Sequence, residues 1–128
     1  MRILAAIGAF MALAIPASIA HGTTDFRSPT GNIVCSYFSL YESDSGIAFV
    51  GCQTRNSGLT VTVSAVGDRE RDYLAPFRGT SYYPVLRYGR SRYFPGIVCT
   101  SRFTGMTCVS RMTGQGFFVS RATWSWVG

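Results

Sequence analysis

The sequence predicts a small all-β domain, an antiparallel sandwich or open barrel that is stapled by two disulfides. Short segments rich in β-branched and aromatic residues recur along the chain, separated by Gly, Ser, Thr and Asn. Four cysteines occur at spacings that fit two β-hairpins. No segment shows a sustained helical period, so we expect at most one short helical turn. Frequent short strands with regular turns are typical of sandwiches and small barrels.

The first twenty residues have the pattern of a secretory signal peptide. Arg2 is the basic start, an apolar run follows from Ile3 to Ile15, and Ala20 ends a small-residue cleavage site. This run is shorter than the roughly 20 apolar residues that a helix needs to cross a bilayer. We therefore expect residues 1–20 to be removed and residues 21–128 to form a single secreted or periplasmic domain without a transmembrane segment.

The elements are predicted from residue type and alternation, in chain order. Ser28–Gly31 fits a type I turn, with proline second and glycine fourth. Leu59–Ala65 alternates apolar and polar residues, which indicates a strand with one buried face and one wet face. Asp68–Tyr73 is interpreted as one helical turn capped by Asp68. The other predicted strands are Ile33–Phe38, Ile47–Gln53, Ile97–Ser101, Met106–Met112 and Phe117–Ala122.

Disulfides are common in small exported domains, so the four cysteines are predicted to form two bridges. The predicted pairs are Cys35–Cys52 and Cys99–Cys108. A loop at Tyr41–Gly46 places the first pair opposite each other, and a four-residue loop at Arg102–Gly105 does the same for the second. Opposed residues on neighbouring strands have Cβ atoms about 4.5–5.5 Å apart, close to what a disulfide needs. The pentapeptides NIVCS and GIVCT around Cys35 and Cys99 are similar, but one such pair does not establish a repeat.

Residues that commonly carry catalysis or bind metals are few. His21 is the only histidine, and the cysteine spacings are wider than the close pairs of zinc sites. Glu42 and Asp44 lie in a predicted loop, and the acidic residues of Asp68–Tyr73 alternate with arginines as on a solvated surface. The glycine-rich Thr113–Gly116 lacks the third glycine and the helix of a dinucleotide site. We therefore predict no metal, no cofactor and no enzyme, with a glycosidase-like carboxylate pair as the catalytic alternative.

The segment Phe77–Phe94 is the best candidate binding surface, since it interleaves arginines with tyrosines. Arginine offers charge and stacking, and tyrosine offers an aromatic face with a hydroxyl, a combination that suits anionic polymers or sugars. The alternative is a long loop whose aromatic residues close one end of the barrel. The candidate binding residues are Arg87, Tyr88, Arg90, Arg92 and Tyr93.

The formal charge of the chain is +6, and it falls to +5 when Arg2 is removed. Basic proteins often bind nucleic acid, but export makes that partner a poor prediction here. The predicted partner is an anionic envelope polymer or a protein.

Three segments near the ends of the mature chain, FRSPTGNIVC, GIVCTSRFTGMTCVSR and TGQGFFVSR, carry distinctive motifs. In these segments the chain resembles an uncharacterised family of small secreted bacterial domains. FRSPTGNIVC (residues 26–35) is similar to the family's F-x-S-P-S-G-N-I-x-C opening, and TGQGFFVSR (113–121) to its G-x-G-F-x-[LV]-S-R tail. GIVCTSRFTGMTCVSR (96–111) resembles the cysteine pair before that tail. The chain departs from the family between Gln53 and Val85, where relatives carry extra cysteines and a tryptophan, and at Gln115, where histidine is expected. The resemblance implies export and a β-rich fold, with no established activity.

These observations favour an exported binding or envelope-associated module. One alternative is a periplasmic enzyme inhibitor, on the scale of the small β-barrel lysozyme inhibitors, that acts through the hairpin tip Glu42–Gly46. The other is a hydrolase of envelope polymers. A flat Arg/Tyr face would favour the module, a protruding rigid loop the inhibitor, and paired carboxylates in a cleft the hydrolase.

Overall fold

The computed structural model describes residues 24–77 and 79–128, which form two five-stranded antiparallel sheets. The first sheet contains β1 (Asp25–Arg27), β2 (Ile33–Phe38), β3 (Phe49–Thr54), β4 (Leu59–Ser64) and β5 (Arg69–Tyr73). The second sheet contains β6 (Ser91–Phe94), β7 (Ile97–Arg102), β8 (Gly105–Ser110), β9 (Gly116–Val119) and β10 (Trp124–Val127). The predicted all-β class is confirmed. The predicted signal peptide, residues 1–20, lies outside the described residues.

One hydrophobic core lies between the two sheets. The alternation read in β4 is confirmed, because Val61 and Val63 are fully buried while Thr62 between them is partly exposed. Across the core, β4 packs against β8 and β9. At the other side, Tyr37 of β2 stacks on Phe94 of β6 with ring centroids 4.4 Å apart. Burial of these apolar faces is the main force that holds the sheets together.

The two sheets have the same topology, with each strand paired to the next in the chain. In each sheet a disulfide joins directly opposed residues of the second and third strands, and both predicted pairings, Cys35–Cys52 and Cys99–Cys108, are confirmed. NIVCS and GIVCT therefore lead into equivalent strands, β2 and β7. The inward rows that contain these disulfides correspond residue by residue: Phe26, Cys35, Cys52, Val61 and Arg71 in the first sheet match Arg92, Cys99, Cys108, Phe117 and Trp126 in the second.

The helical turn predicted at Asp68–Tyr73 is wrong. Arg69–Tyr73 forms β5, which pairs with β4 along its whole length, from Val63 opposite Arg69 to Leu59 opposite Tyr73. The open edge of β4 offers a complete ladder of backbone partners, and this outweighs a single capped turn. Within the described ranges the helical element is instead a 3-10 turn at Thr80–Tyr82.

The connection between the sheets is held by the amide of Gln53, a buried residue of β3. Its Nε2 shares two hydrogens among three acceptors, Thr60 Oγ1 (3.1 Å), Leu74 O (3.3 Å) and Ala75 O (2.9 Å), and its Oε1 accepts from Phe77 N (2.9 Å). Further along, residues 84–86 run beside β1, with Arg27 N donating to Pro84 O and Leu86 N to Arg27 O. These bonds direct the chain toward β6.

Candidate ligand-binding surfaces

The two sheets differ sharply in charge. From Thr24 to Phe77, the part that forms the first sheet, the sequence has four arginines and six carboxylates, a formal charge of −2. From Gly79 to Gly128, the part that leads into and forms the second sheet, it has six arginines and no Asp or Glu, a formal charge of +6. The two sheets share one topology, but the parts of the chain that form them carry formal charges of opposite sign.

Carboxylates of the first sheet surround an open groove of about 760 Å³, which we call the acidic groove. Phe38 and Phe49 form its apolar part and stack with ring centroids 4.8 Å apart. The alternating charges of β5 explain how the groove acquires its charge, because a strand directs successive side chains to opposite faces. Glu70 therefore lines the groove, whereas Arg69 and Arg71 lie on the other face. The four carboxylates of the acidic groove are Glu42, Asp44, Asp68 and Glu70.

The β2–β3 loop, which borders the acidic groove, is braced by local hydrogen bonds. Ser39 N donates to Glu42 Oε1 at 2.9 Å, and the hydroxyls of Ser43 and Ser45 bond to each other at 2.9 Å. Next to these braced residues, Tyr41 is 91% exposed. The tip therefore combines a fixed backbone with an exposed aromatic ring and acidic side chains, the features expected of the inhibitor alternative.

The inner faces of β5 and β10 meet in a stack of arginines and tryptophans, which we call the Arg/Trp ladder. Arg71 lies over Trp124 at 5.0 Å and Arg69 over Trp126 at 5.3 Å, measured from guanidinium carbon to ring centroid. The two indoles contact each other edge to face at 4.9 Å. Arg69 Nη1 also donates to Val127 O (3.0 Å) and to Gly128 O (3.2 Å). The ladder joins the edges of the two sheets. Its sequence indications are the spacing R-x-R, interpreted above as part of a solvated surface, and the spacing W-x-W, which carries no prediction above.

The five residues of the predicted Arg/Tyr surface do not meet in one cluster. Arg92 lies over Phe94 at 5.2 Å, whereas Tyr93 lies under Arg111 at 5.3 Å. These neighbours on β6 point to opposite faces of the sheet because of the two-residue period of a strand. Arg87 and Arg90 are exposed in the turn before β6, and the turn is tied to β7 by Gly89 N donating to Ser101 O.

One row of mainly apolar side chains crosses the outer face of the second sheet. Tyr93 of β6, 65% exposed, stands opposite Val98 of β7, which stands opposite Val109 of β8. Both valines are partly exposed. Arg111, over the ring of Tyr93, adds a cation to this face. This is the closest match in the structure to the flat Arg/Tyr face expected of a binding module.

A second groove, of about 320 Å³, opens between four turns at one end of the sandwich. We call it the hairpin-tip groove. Tyr88 contacts Phe103 edge to face at 5.7 Å and forms an aromatic wall with it. Arg102 of the β7–β8 hairpin and Arg121 of the β9–β10 turn provide cations, and Asp and Glu are absent from its described lining. Its polar lining includes Ser28, Thr30, Asn32, Thr104 and Ser120. Of the predicted binding residues, Tyr88 lies in this groove.

Comparison with known proteins finds no family model that matches the chain, and no curated protein or solved structure that is significantly similar to it. The resemblance to a family of secreted bacterial domains therefore stays a prediction. In the described ranges, none of the helices is long and apolar enough to span a membrane. A search of the same ranges for three or more His, Cys, Asp or Glu side chains arranged to hold a metal ion finds none.

Proposed function

We propose that the protein is an exported binding module that holds an anionic polymer of the cell envelope on its second sheet. The observation that carries the proposal is the separation of charge, with six arginines and no carboxylate between Gly79 and Gly128. A surface of one sign attracts a polymer of the opposite sign along its length and raises the rate of association. Guanidinium groups also match carboxylates and phosphates with two parallel hydrogen bonds.

Aromatic side chains beside these arginines support a polymer with rings or apolar faces. Tyr93 is paired with Arg111 on the outer face, and Tyr88 with Phe103 in the hairpin-tip groove. Exposed aromatic rings provide apolar contact area with a polar edge, which suits ligands that are partly apolar and partly charged. This combination favours a charged polysaccharide over a simple polyanion.

Export is part of the same proposal and is supported by the two disulfides. Disulfides persist in oxidising compartments and are rare in the bacterial cytosol. The signal-like residues 1–20 and the resemblance of both chain ends to secreted domains agree with this location. We therefore place the protein in the periplasm or outside the cell, after cleavage near Ala20.

The test is retention of the protein on immobilised polygalacturonate, with neutral dextran as the reference matrix. Retention should fall steeply as salt rises, because exposed charges are screened beyond about 10 Å at 0.1 M ionic strength. R90Q should weaken retention, whereas R55Q, which removes one exposed arginine from the first-sheet half of the chain, is the matched control and should not. Equal retention on both matrices at all salt concentrations would contradict the proposal.

The braced β2–β3 tip supports a second candidate function, inhibition of a basic enzyme. Tyr41, Glu42 and Asp44 are exposed on a loop with a fixed backbone, as an inhibitory loop requires. Fixing a loop before binding reduces the entropy lost in the complex. Activity of a basic lysozyme should then fall when the protein is added and recover with Y41A. If lysozyme activity is unchanged in the presence of excess protein, that lysozyme is not the target.

The hydrolase alternative would use the acidic groove as its active site. The groove places Glu42, Asp44, Asp68 and Glu70 around one opening, and hydrolysis of a glycosidic bond needs two such carboxylates in defined roles. Release of reducing ends from envelope polysaccharide by the wild-type protein, abolished in E70Q, would support it. The binding module predicts no release from the same substrate.

A further inference from the structure

We propose that the hairpin-tip groove is a recognition site for a single carboxylated sugar residue, such as a hexuronate. The inference rests on the proposed function and deepens it. The outer surface attracts the polymer in general, and the groove selects one of its units. Its volume of about 320 Å³ is at the lower end of the range for small-ligand sites, which run from roughly 300 to 1,000 Å³.

The groove forms only when the sandwich is assembled, since its lining comes from both sheets. The turn between β1 and β2 supplies Thr30 and Asn32, and the second sheet supplies Arg102 and Arg121 from two different turns. The first of these turns is well fixed: Ile33 N donates to Ser28 Oγ at 3.1 Å, and Gly31 N to Ser28 O at 2.9 Å. Polar groups held by a fixed backbone bind a ligand at a lower entropic cost.

The chemistry of the lining matches an anionic sugar in three respects. Arg102 and Arg121 can receive a planar carboxylate, for which guanidinium is the best matched side chain. The edge-to-face pair of Tyr88 and Phe103 offers an apolar wall for the C–H face of a pyranose ring. The hydroxyl and amide groups of Thr30 and Asn32 can exchange hydrogen bonds with sugar hydroxyls.

The exposure of Phe103 leaves this apolar wall open to a ligand. Phe103 is 86% exposed at a two-residue hairpin tip, although its partner Tyr88 is only 42% exposed. Its contact with Tyr88, beside two arginines, places an apolar surface next to positive charge, which is the arrangement that a uronate would cover.

The test measures binding of trigalacturonate to the whole exported protein by calorimetry, with neutral trigalactose and inorganic sulfate as reference ligands. R102Q/R121Q should lower affinity for trigalacturonate by about tenfold or more for each arginine removed, since hydrogen bonds to charged groups are strong. R55Q/R71Q removes the same charge from two exposed arginines outside the groove and should change the affinity less than threefold. R102K/R121K keeps both positive charges but lacks the guanidinium groups that bind a carboxylate with two parallel hydrogen bonds. It should therefore recover only part of the affinity for trigalacturonate.

A second pair of variants tests the aromatic wall. F103A should reduce the preference for trigalacturonate over sulfate, whereas Y41A, which removes a similarly exposed ring on the first sheet, should leave it unchanged. Thermal unfolding of each variant shows whether it is folded, and both rings are too exposed for their loss to prevent folding.

The outcomes separate this inference from the proposed function. If the wild-type protein is retained on polygalacturonate but R102Q/R121Q and R55Q/R71Q lose affinity for trigalacturonate equally, the attraction is general and the groove assignment is wrong. If sulfate binds the groove as tightly as trigalacturonate, the site takes simple anions and the sugar assignment is wrong. If the wild-type protein is not retained on the polymer, the proposed function itself fails.

Discussion

The Sγ atoms of Cys52 and Cys108 lie 3.8 Å apart, so the two disulfides contact each other in the core between the sheets. Both sulfurs are oxidised and carry no proton, which makes this a van der Waals contact and not a hydrogen bond. The two cysteines occupy equivalent positions in β3 and β8. The contact therefore joins the corresponding points of two sheets with the same topology.

The disulfide contact predicts that the two bridges are energetically coupled. Removing either pair, with C35A/C52A or C99A/C108A, should cost roughly 2–5 kcal/mol of unfolding free energy. The 17-residue separation of the first pair exceeds the 9-residue separation of the second, which favours the first by about 0.6 kcal/mol in the chain-entropy account. Denaturant unfolding of the single-bridge and double-bridge variants should give a coupling of about 0.5 kcal/mol or more. Strict additivity would show that the contact has no energetic role.

The Arg/Trp ladder should stabilise the edge where β5 and β10 meet. R69Q removes a cation over Trp126 and two hydrogen bonds, to Val127 O and Gly128 O, and should cost about 1–3 kcal/mol. R111Q, which removes the cation over the exposed ring of Tyr93, is the matched control and should cost about 1 kcal/mol at most. Equal losses in urea unfolding would mean that the ladder contributes no more than an ordinary surface contact.

The amide of Gln53 should hold the connection between the sheets. Q53L leaves Leu74 O, Ala75 O and Phe77 N without their partner and should cost roughly 1–3 kcal/mol, because the lost hydrogen bonds are partly buried. Hydrogen exchange should also accelerate at the Phe77 amide more than at amides in β8. If protection at Phe77 is unchanged in Q53L, other contacts hold the segment in place.

Tyr37 should make stability fall at alkaline pH. Burial, and to a lesser extent the charge of Glu42, raises the pKa of its hydroxyl above the ordinary value of 10.0. The folded state then retains this proton where the unfolded state loses it. The contribution to stability is therefore complete below about pH 10 and declines as pH rises through the folded pKa.

The free energy of unfolding of wild type and Y37F, measured across that pH range, tests the effect, which Y37F should lack. Y37F also loses the hydrogen bond to Pro95 O, so it should start about 1 kcal/mol lower. Parallel pH curves would contradict the assignment.

The amino terminus of the exported protein should be His21. Intact-mass measurement of protein recovered from the periplasm or medium should match residues 21–128, and peptide mapping without reductant should connect Cys35 with Cys52 and Cys99 with Cys108. Recovery of the full-length mass from that fraction would contradict cleavage after Ala20.

The local features of the fold were predictable from the sequence. The hairpin spacings placed Cys35 opposite Cys52 and Cys99 opposite Cys108, and both registers are as predicted. The second loop has two residues and not the predicted four, because Arg102 pairs with Gly105. β2 was predicted with its observed limits, Ile33–Phe38. These features depend on neighbours that are close in the chain, where alternation and turn residues determine register.

The edge strands were not predictable in the same way. β1, β6 and β10 have three or four residues each, too few for a clear alternation, and β5 was interpreted as a helical turn. Each of the four lies at the edge of a sheet and forms by pairing with a more central strand. Their structure is determined by an available backbone ladder and not by their own residue preferences.

By itself, the sequence determined the all-β class, the two hairpin disulfides and the composition of the Arg/Tyr segment. Only the tertiary structure decided which of these side chains meet. Because side chains alternate between the faces of a strand, Arg92 and Tyr93 point to opposite faces of β6. The packing of the two sheets places Arg71 of the first sheet over Trp124 of the second. The hairpin-tip groove combines turns separated by more than fifty residues, from Asn32 to Arg102 and Arg121. Such contacts depend on how two complete sheets pack, and no local pattern in the chain specifies that arrangement.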